Sequence, residues 1–195
     1  SNFEQSKKLK NNYLYPVLNK RREVVGIYFK EELYKVDPEQ YKVAVFGLGF
    51  VGLTLSLIMA SKGYKVLGIE KNKEIIKKLR LKQPTFYEKD IKKYINNFFD
   101  KNFHVQNNFN DINANVYIIS VGTPINKSKK TNFSNLKKVS KIIAKNLNKK
   151  DLIVLRSTVE IGTTRNIVIP IIEKNSKLIA GKDFNIAFCP ERTIE

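Results

Sequence analysis

The chain has 195 residues, enough for one domain with a sizeable core plus an appendage. Its hydrophobic content of 42% is ordinary, but its formal charge of +18 implies either an anionic partner or a composition simply rich in Lys, Asn, Ile, Phe and Tyr. A single cysteine excludes an internal disulfide, no apolar leader core stands at the N-terminus and no apolar run reaches about 18 residues, so a soluble, cytoplasmic protein without a membrane partner is expected.

Residues 1–40 do not share the strand–helix alternation of the rest of the chain and read as an N-terminal extension. Tyr13, Tyr15, Ile27, Tyr28 and Phe29 are apolar enough to bury, which predicts a docked arm. Glu23 to Phe29 suits a strand or a short helix, and Asp37-Pro38 a turn or a helix start. From Lys42 the pattern changes. Val43 to Phe46 is an apolar, β-branched run stopped by glycine, as in a buried parallel strand. Gly47, Gly49 and Gly52 come next in G-x-G-x-x-G spacing, then a helix from about Leu53 to Lys62. Gly47 suits a tight turn, Gly49 a close backbone approach to a pyrophosphate, and Gly52 close packing of helix on strand. The helix points free N–H groups and its positive dipole end at the phosphates, and Phe50, Val51 and Gly52 count among the expected cofactor-binding residues. Val66 to Ile69 is a second buried strand, ending in Glu70, an acid placed to bond the ribose hydroxyls of a dinucleotide. Strand, glycines, helix, strand and acid in this order predict an NAD site. A carboxylate at Glu70 repels a 2′-phosphate and favours NAD over NADP, an effect that Lys71 beside it weakens.

Beyond Glu70, Asn72 to Leu81 is an amphipathic helix broken before Pro84, with a second helix over Ile91 to Phe99. Phe103 to Gln106 and Asn115 to Ser120 are strands, Asn126 to Asn132 a polar loop, and Asn135 to Asn146 a helix. Asp151 to Leu155 is a strand ending in Arg156-Ser157-Thr158. Ile161-Gly162-Thr163-Thr164 leads into a helix running to about Asn175, with Thr163 or Thr164 as N-cap and a kink at Pro170. Phe184 to Phe188 is the last strand. The alternation predicts an α/β fold, a Rossmann-like doubly wound parallel sheet over residues 41–195. His104 reads as structural, with no metal site. No helix-turn-helix, zinc or single-strand-binding motif supports a nucleic-acid partner.

In such sheets ligands sit beyond the carboxyl ends of the strands. Chemistry therefore collects at Gly47–Gly52, Val121–Pro124, Arg156–Thr158 and Cys189–Glu195. Glu191 and Glu195 would share one face of a helical turn, either as an acid–base pair or as two solvated carboxylates.

The motifs Gly47-Leu48-Gly49-Phe50-Val51-Gly52, Tyr87-Glu88, Val121-Gly122-Thr123-Pro124, Ser157-Thr158-Val159 with Gly162-Thr163-Thr164, and Pro190-Glu191-Arg192 resemble, in order, those of the UDP-glucose/GDP-mannose dehydrogenase family. The resemblance covers residues 41–195 and the family's N-terminal NAD-binding domain. Pro-Glu-Arg is closer to the UDP-N-acetyl-D-mannosamine dehydrogenase branch than to the UDP-glucose branch. It implies oxidation of the C6 alcohol of a UDP-sugar to a carboxylate with two NAD. Thr123 would position a catalytic water, Glu191 would act as general base in thioester hydrolysis, and Glu195 would support that water. Val121, Gly122 and Thr158 would line the nicotinamide side. Two positions depart from the family pattern: Glu88-Lys89-Asp90 replaces Glu-Pro-Gly, and Asn115 replaces an acid. The resemblance also places the nucleophilic cysteine, a lysine, an asparagine, the UDP-binding domain and a dimerising helix outside these residues. The chain then reads as a fragment, inactive alone, of a homodimeric enzyme. A stand-alone NAD-sensing module is the alternative.

Overall fold

The computed structural model describes residues 15–18, 24–29, 32–35, 37–125 and 130–191. The chain falls into two compact units, Ser1–Pro38 and Glu39–Glu195. In the first, β1 (Tyr15–Leu18), β2 (Val24–Phe29) and β3 (Glu32–Lys35) form a three-stranded antiparallel sheet in that order. The Val-Val-Gly-Ile-Tyr-Phe run is thus a strand, as its β-branched and aromatic content favours. Pro16 lies in β1, an edge strand, where a missing N–H need not break the ladder. Tyr13 lies outside the described residues.

The second unit is a six-stranded sheet, parallel throughout, in the order β6-β5-β4-β7-β8-β9. Its strands are β4 (Lys42–Phe46), β5 (Lys65–Ile69), β6 (Phe103–Gln106), β7 (Val116–Ile119), β8 (Leu152–Leu155) and β9 (Asn185–Phe188). The helices are α1 (Phe50–Ser61), α2 (Lys73–Arg80), α3 (Ile91–Phe98), α4 (Ser134–Asn146) and α5 (Ile169–Ser176). The chain starts at the centre with β4 and winds outward to β6. It then returns to pair β7 against the other side of β4 and winds out to β9. The reversal between β4 and β7 opens the crevice where such sheets bind ligands.

Alternation along β4 splits the core. Val43 and Val45 face Leu53, Leu57, Leu79, Ile91, Ile95 and Phe103, beneath α1, α2 and α3. Ala44 and Phe46 face Leu136, Val139, Ile143, Val168 and Ile172, beneath α4 and α5. Burial on both faces explains why these strands read as unbroken apolar runs. Tyr117 is fully buried, its hydroxyl between Ala114 O and Asn146 O at 3.0 and 2.9 Å. Burial raises its pKa, with the neighbouring Asp151 carboxylate adding to the shift.

The structure departs from the sequence reading at two helices. Helix α1 begins at Phe50, not Leu53, so all three residues after Gly49 are helical. The segment after Gly162 is not capped by a threonine. Thr163 is already in the right-handed helical region and makes no side-chain cap bond. A π-helical turn over Thr164–Val168 precedes α5, with Ile169 N–H bonding Thr164 O. Pro170, in the first turn of α5, has no N–H to give the ladder, and the wider turn just before it is where the pattern changes. Among the described residues no helix is long and apolar enough to cross a membrane.

Candidate functional site

The site begins where β4 ends. Gly47 has φ of 91°, and a Cβ there would lie 2.7 Å from Ser120 O on the neighbouring β7 segment. A Cβ at Gly52 would lie 1.9 Å from Gly47 O, so α1 sits against the turn only because that side chain is missing. At Gly49, by contrast, no atom lies within 4 Å of the Cβ position. That space lies beside the start of α1. The first intrahelical bond runs from Leu53 N–H to Gly49 O at 2.9 Å, so the N–H groups of Phe50, Val51 and Gly52 come before the ladder and suit an anion. The Phe50 ring packs on Phe86, centroids 5.0 Å apart, and ties the loop before α3 to this helix.

Glu70 follows β5 and is 8% exposed. Its Oε2 accepts from Leu48 N–H at 2.8 Å and its Oε1 from Asn72 N–H at 2.9 Å. The carboxylate thus braces the glycine turn and the entry to α2, a role the sequence did not disclose. Leu48, fully buried, lies where a Cβ on Gly68 would approach within 2.8 Å, which is why β5 carries a glycine in mid-strand. A groove of about 650 Å³ joins these parts, lined by Gly47, Gly49, Glu70, Val121 and Gly122 and walled by apolar side chains of Ile75, Phe109, Val139 and Ile142. That is the volume and the mixture expected of a cofactor cleft.

The strand ends after β7 and β8 are tied together. Ser157 Oγ donates to Val121 O at 2.7 Å, and Thr123 Oγ1 donates to Thr158 O at 2.8 Å. The structure therefore brings Thr123 and Thr158 into contact and sets Val121 and Gly122 in the groove. Ser157, 7% exposed, holds these loops and was legible only as part of the Ser-Thr-Val motif. On α4, Asn135 donates from Nδ2 to Gly122 O at 3.4 Å and accepts from Lys71 Nζ at 3.1 Å, a bridge between distant segments that nothing in the spacing announced.

Glu191 follows β9 and forms an ion pair with Arg156, both about one-fifth exposed. Arg156 also donates to Cys189 O at 3.3 Å, and its Nε–H is buried without a hydrogen-bond partner. Cys189 is exposed at the strand end. Glu195 lies outside the described residues. His104 is exposed on β6, 3.9 Å from Asp100. Of the two family departures, Asp90 takes φ of 64° at the start of α3, and Asn115 Oδ1 accepts from Lys42 N–H at 2.9 Å, joining β7 to β4.

Fold and groove together define a nucleotide-binding domain of the doubly wound class, in which the open space at Gly49, the first-turn amides of α1 and the Glu70 carboxylate fit the pyrophosphate and ribose of NAD. Residues 41–195 match the UDP-glucose/GDP-mannose dehydrogenase family, NAD binding domain. The chain belongs to this family and binds NAD. It is 36% identical over 152 residues to UDP-N-acetyl-D-glucosamine 6-dehydrogenase of Pseudomonas aeruginosa, covering 77% of this chain and 35% of that protein. It superposes with a TM-score of 0.74 and 26% identity on GDP-mannose dehydrogenase of Pseudomonas aeruginosa, solved as a ternary complex, covering 79% of this chain and 37% of the other. For the UDP-D-ManNAc dehydrogenase of Pyrococcus horikoshii the TM-score is 0.73 at 29% identity, covering 78% and 37%. The chain thus spans little more than a third of the length of these relatives.

Proposed function

We propose that this chain supplies the NAD-binding half of a UDP-sugar 6-dehydrogenase that oxidises the C6 alcohol of a UDP-N-acetylhexosamine, UDP-N-acetylmannosamine foremost, to the carboxylate. The observation that carries the cofactor half is the groove joining Glu70, the glycine turn and the end of β7. The substrate class rests on relatives named for UDP-N-acetyl-D-glucosamine and UDP-N-acetyl-D-mannosamine. When bound, NAD would supply the hydride acceptor, two NAD being used in turn per substrate, and water would supply the second carboxylate oxygen.

The chain's own residues do the holding. First-turn amides of α1 take the pyrophosphate and Glu70 accepts from the ribose hydroxyls. Val121, Gly122 and Thr158 line the nicotinamide side. Thr123, its proton directed to Thr158 O, keeps its oxygen lone pairs available to a water. Glu191, oriented by Arg156, takes a proton from that water as it attacks a thioester. Glu195 completes the water's surroundings. We further propose residues 41–195 as the cofactor domain, with residues 1–40 an extension to it, and the full enzyme as a soluble homodimer.

Because the chain covers about a third of its relatives, the oxidation is assigned to a protein of their length. The test measures NADH absorbance with UDP-N-acetylmannosamine, UDP-N-acetylglucosamine and UDP-glucose. The chain alone is expected to bind NAD yet turn over none of the three. A protein of the relatives' length carrying these residues is expected to prefer an N-acetylated sugar. Steady turnover by the 195 residues, or a preference for UDP-glucose in the longer protein, would overturn the corresponding part.

A further inference from the structure

The adenosine end of the groove is more basic than NAD requires. Glu70 is the one carboxylate among the groove's described lining residues, whereas Lys71, Lys138 and Lys141 all line it. Lys71 follows Glu70 directly, and Lys138 and Lys141 stand three apart on α4, on the same side of that helix. All three are exposed, and among the described residues none of them forms an ion pair. The Lys71 ammonium donates only to a neutral acceptor, Asn135 Oδ1, at 3.1 Å. These cations belong to the end of β5 and to α4, not to the helix start that serves the pyrophosphate. Glu70, meanwhile, already accepts one backbone N–H on each oxygen, at 2.8 and 2.9 Å. Those two dipoles point their positive ends at the carboxylate and offset part of the field it projects into the groove.

NADP differs from NAD by one 2′-phosphate on the adenosine ribose, the group an acid at this position repels and a nearby basic side chain accommodates. Three ammonium groups and one damped carboxylate share the groove's lining, and Coulomb attraction from the cations offsets the acid's repulsion of a phosphate. We infer that Lys71, with Lys138 and Lys141 in the lining of the same groove, forms a 2′-phosphate subsite beside Glu70, so that the chain accepts NADP as well as NAD. Lys71 exchanges its bond to Asn135 for a charge-assisted bond to the phosphate. The neutral-acceptor bond it gives up is the weaker of the two. Glu70 still favours the unphosphorylated ribose, so NAD remains the tighter ligand by a modest factor. The inference rests on the groove being the NAD site.

The experiment is isothermal titration calorimetry of the chain with NAD and with NADP, at low and high salt. NADP is expected to bind within about tenfold of NAD. Lys71→Ala should weaken NADP by about tenfold while changing NAD by less than about threefold, the loss expected for one charge-assisted bond. Lys71→Arg should restore NADP binding, and added salt should weaken NADP more steeply than NAD. Circular dichroism, unchanged in these surface variants, excludes unfolding as the cause. NADP bound about a hundredfold more weakly than NAD, or an equal loss of both ligands in Lys71→Ala, would overturn the subsite while leaving the NAD groove intact. Failure of the wild-type chain to bind either dinucleotide would overturn the groove itself, and the subsite with it.

Discussion

Gly49 and Gly52 belong to one motif but act through different physics. Gly52→Ala drives a Cβ into Gly47 O, a backbone atom that cannot swing away. It should cost about 3 kcal/mol of stability, read as a lower denaturant midpoint. Gly49→Ala meets no protein atom. It should change stability by less than about 1 kcal/mol, the cost of a poorer N-cap, yet abolish NAD binding, because the methyl fills the space left for the pyrophosphate. Equal effects of the two substitutions on folding would contradict this division. Two aspartates make a second pair. Burial raises the pKa of Asp151 above its ordinary 3.8, opposed by its bond from Asn148 N–H. Its contribution to stability is therefore fully present below 3.8 and lost as pH rises through the folded value. The bond from Ile179 N–H, helped by Lys149, lowers the pKa of Asp183. Its contribution is present above 3.8 and lost as pH falls through the folded value. Thermal unfolding between about pH 3 and about pH 7 should show Asp151→Asn gaining on the wild type as pH rises and Asp183→Asn losing ground. Parallel pH profiles for both variants and the wild type would remove linkage as the explanation.

At the scale of elements, α3 starts on Asp90 with φ of 64° and no side-chain cap bond. A left-handed start needs a residue that tolerates crowding of Cβ on its carbonyl. Asp90→Gly should therefore be accepted within about 1 kcal/mol, the backbone relief roughly balancing the entropy glycine adds to the unfolded chain. Asp90→Val should cost about 2 kcal/mol, because a β-branched side chain is worst in that region. Urea denaturation of both variants compares them directly, and equal midpoints would mean the start of α3 rearranges. The strand ends are likewise held as a set: the Ser157–Val121 and Thr123–Thr158 bonds join two loops that each carry candidate site residues. A shift of one loop therefore pulls on the other, so Ser157→Ala should disturb dinucleotide binding without touching the ligand.

For the whole molecule, the role proposed for Glu191 has its own signature. In a protein of the relatives' length, Glu191→Gln should leave the first hydride transfer in place and slow the final hydrolysis by about 10²–10⁴-fold, the usual worth of a general base. A covalent enzyme–substrate adduct should then accumulate and be visible by intact-protein mass spectrometry after one turnover. Normal turnover without an adduct would leave Glu191 as a partner of Arg156 only.

Local patterning along the chain determined most of the architecture. Apolar runs as short as Val-Tyr-Ile-Ile, alternating with amphipathic helices, suffice to specify a parallel sheet covered on both faces, and the G-x-G-x-x-G spacing with Glu70 locates the nucleotide crevice because turn, helix start and acid are all close in sequence. Strand order was left open by that alternation, since right-handed crossovers suit several orders, and the reversal between β4 and β7 was decided by the folded sheet. Only the tertiary structure decided contacts between segments far apart in the chain. The bond from Lys71 to Asn135 spans 64 positions, that from Asn115 to Gln40 spans 75, and the Arg156–Glu191 pair spans 35. No local period encodes such distances. The π turn before Pro170 and the left-handed Asp90 escaped the sequence for a related reason: each is a local compromise imposed by how a helix must meet the sheet, so its cost is offset by packing that only the folded chain contains.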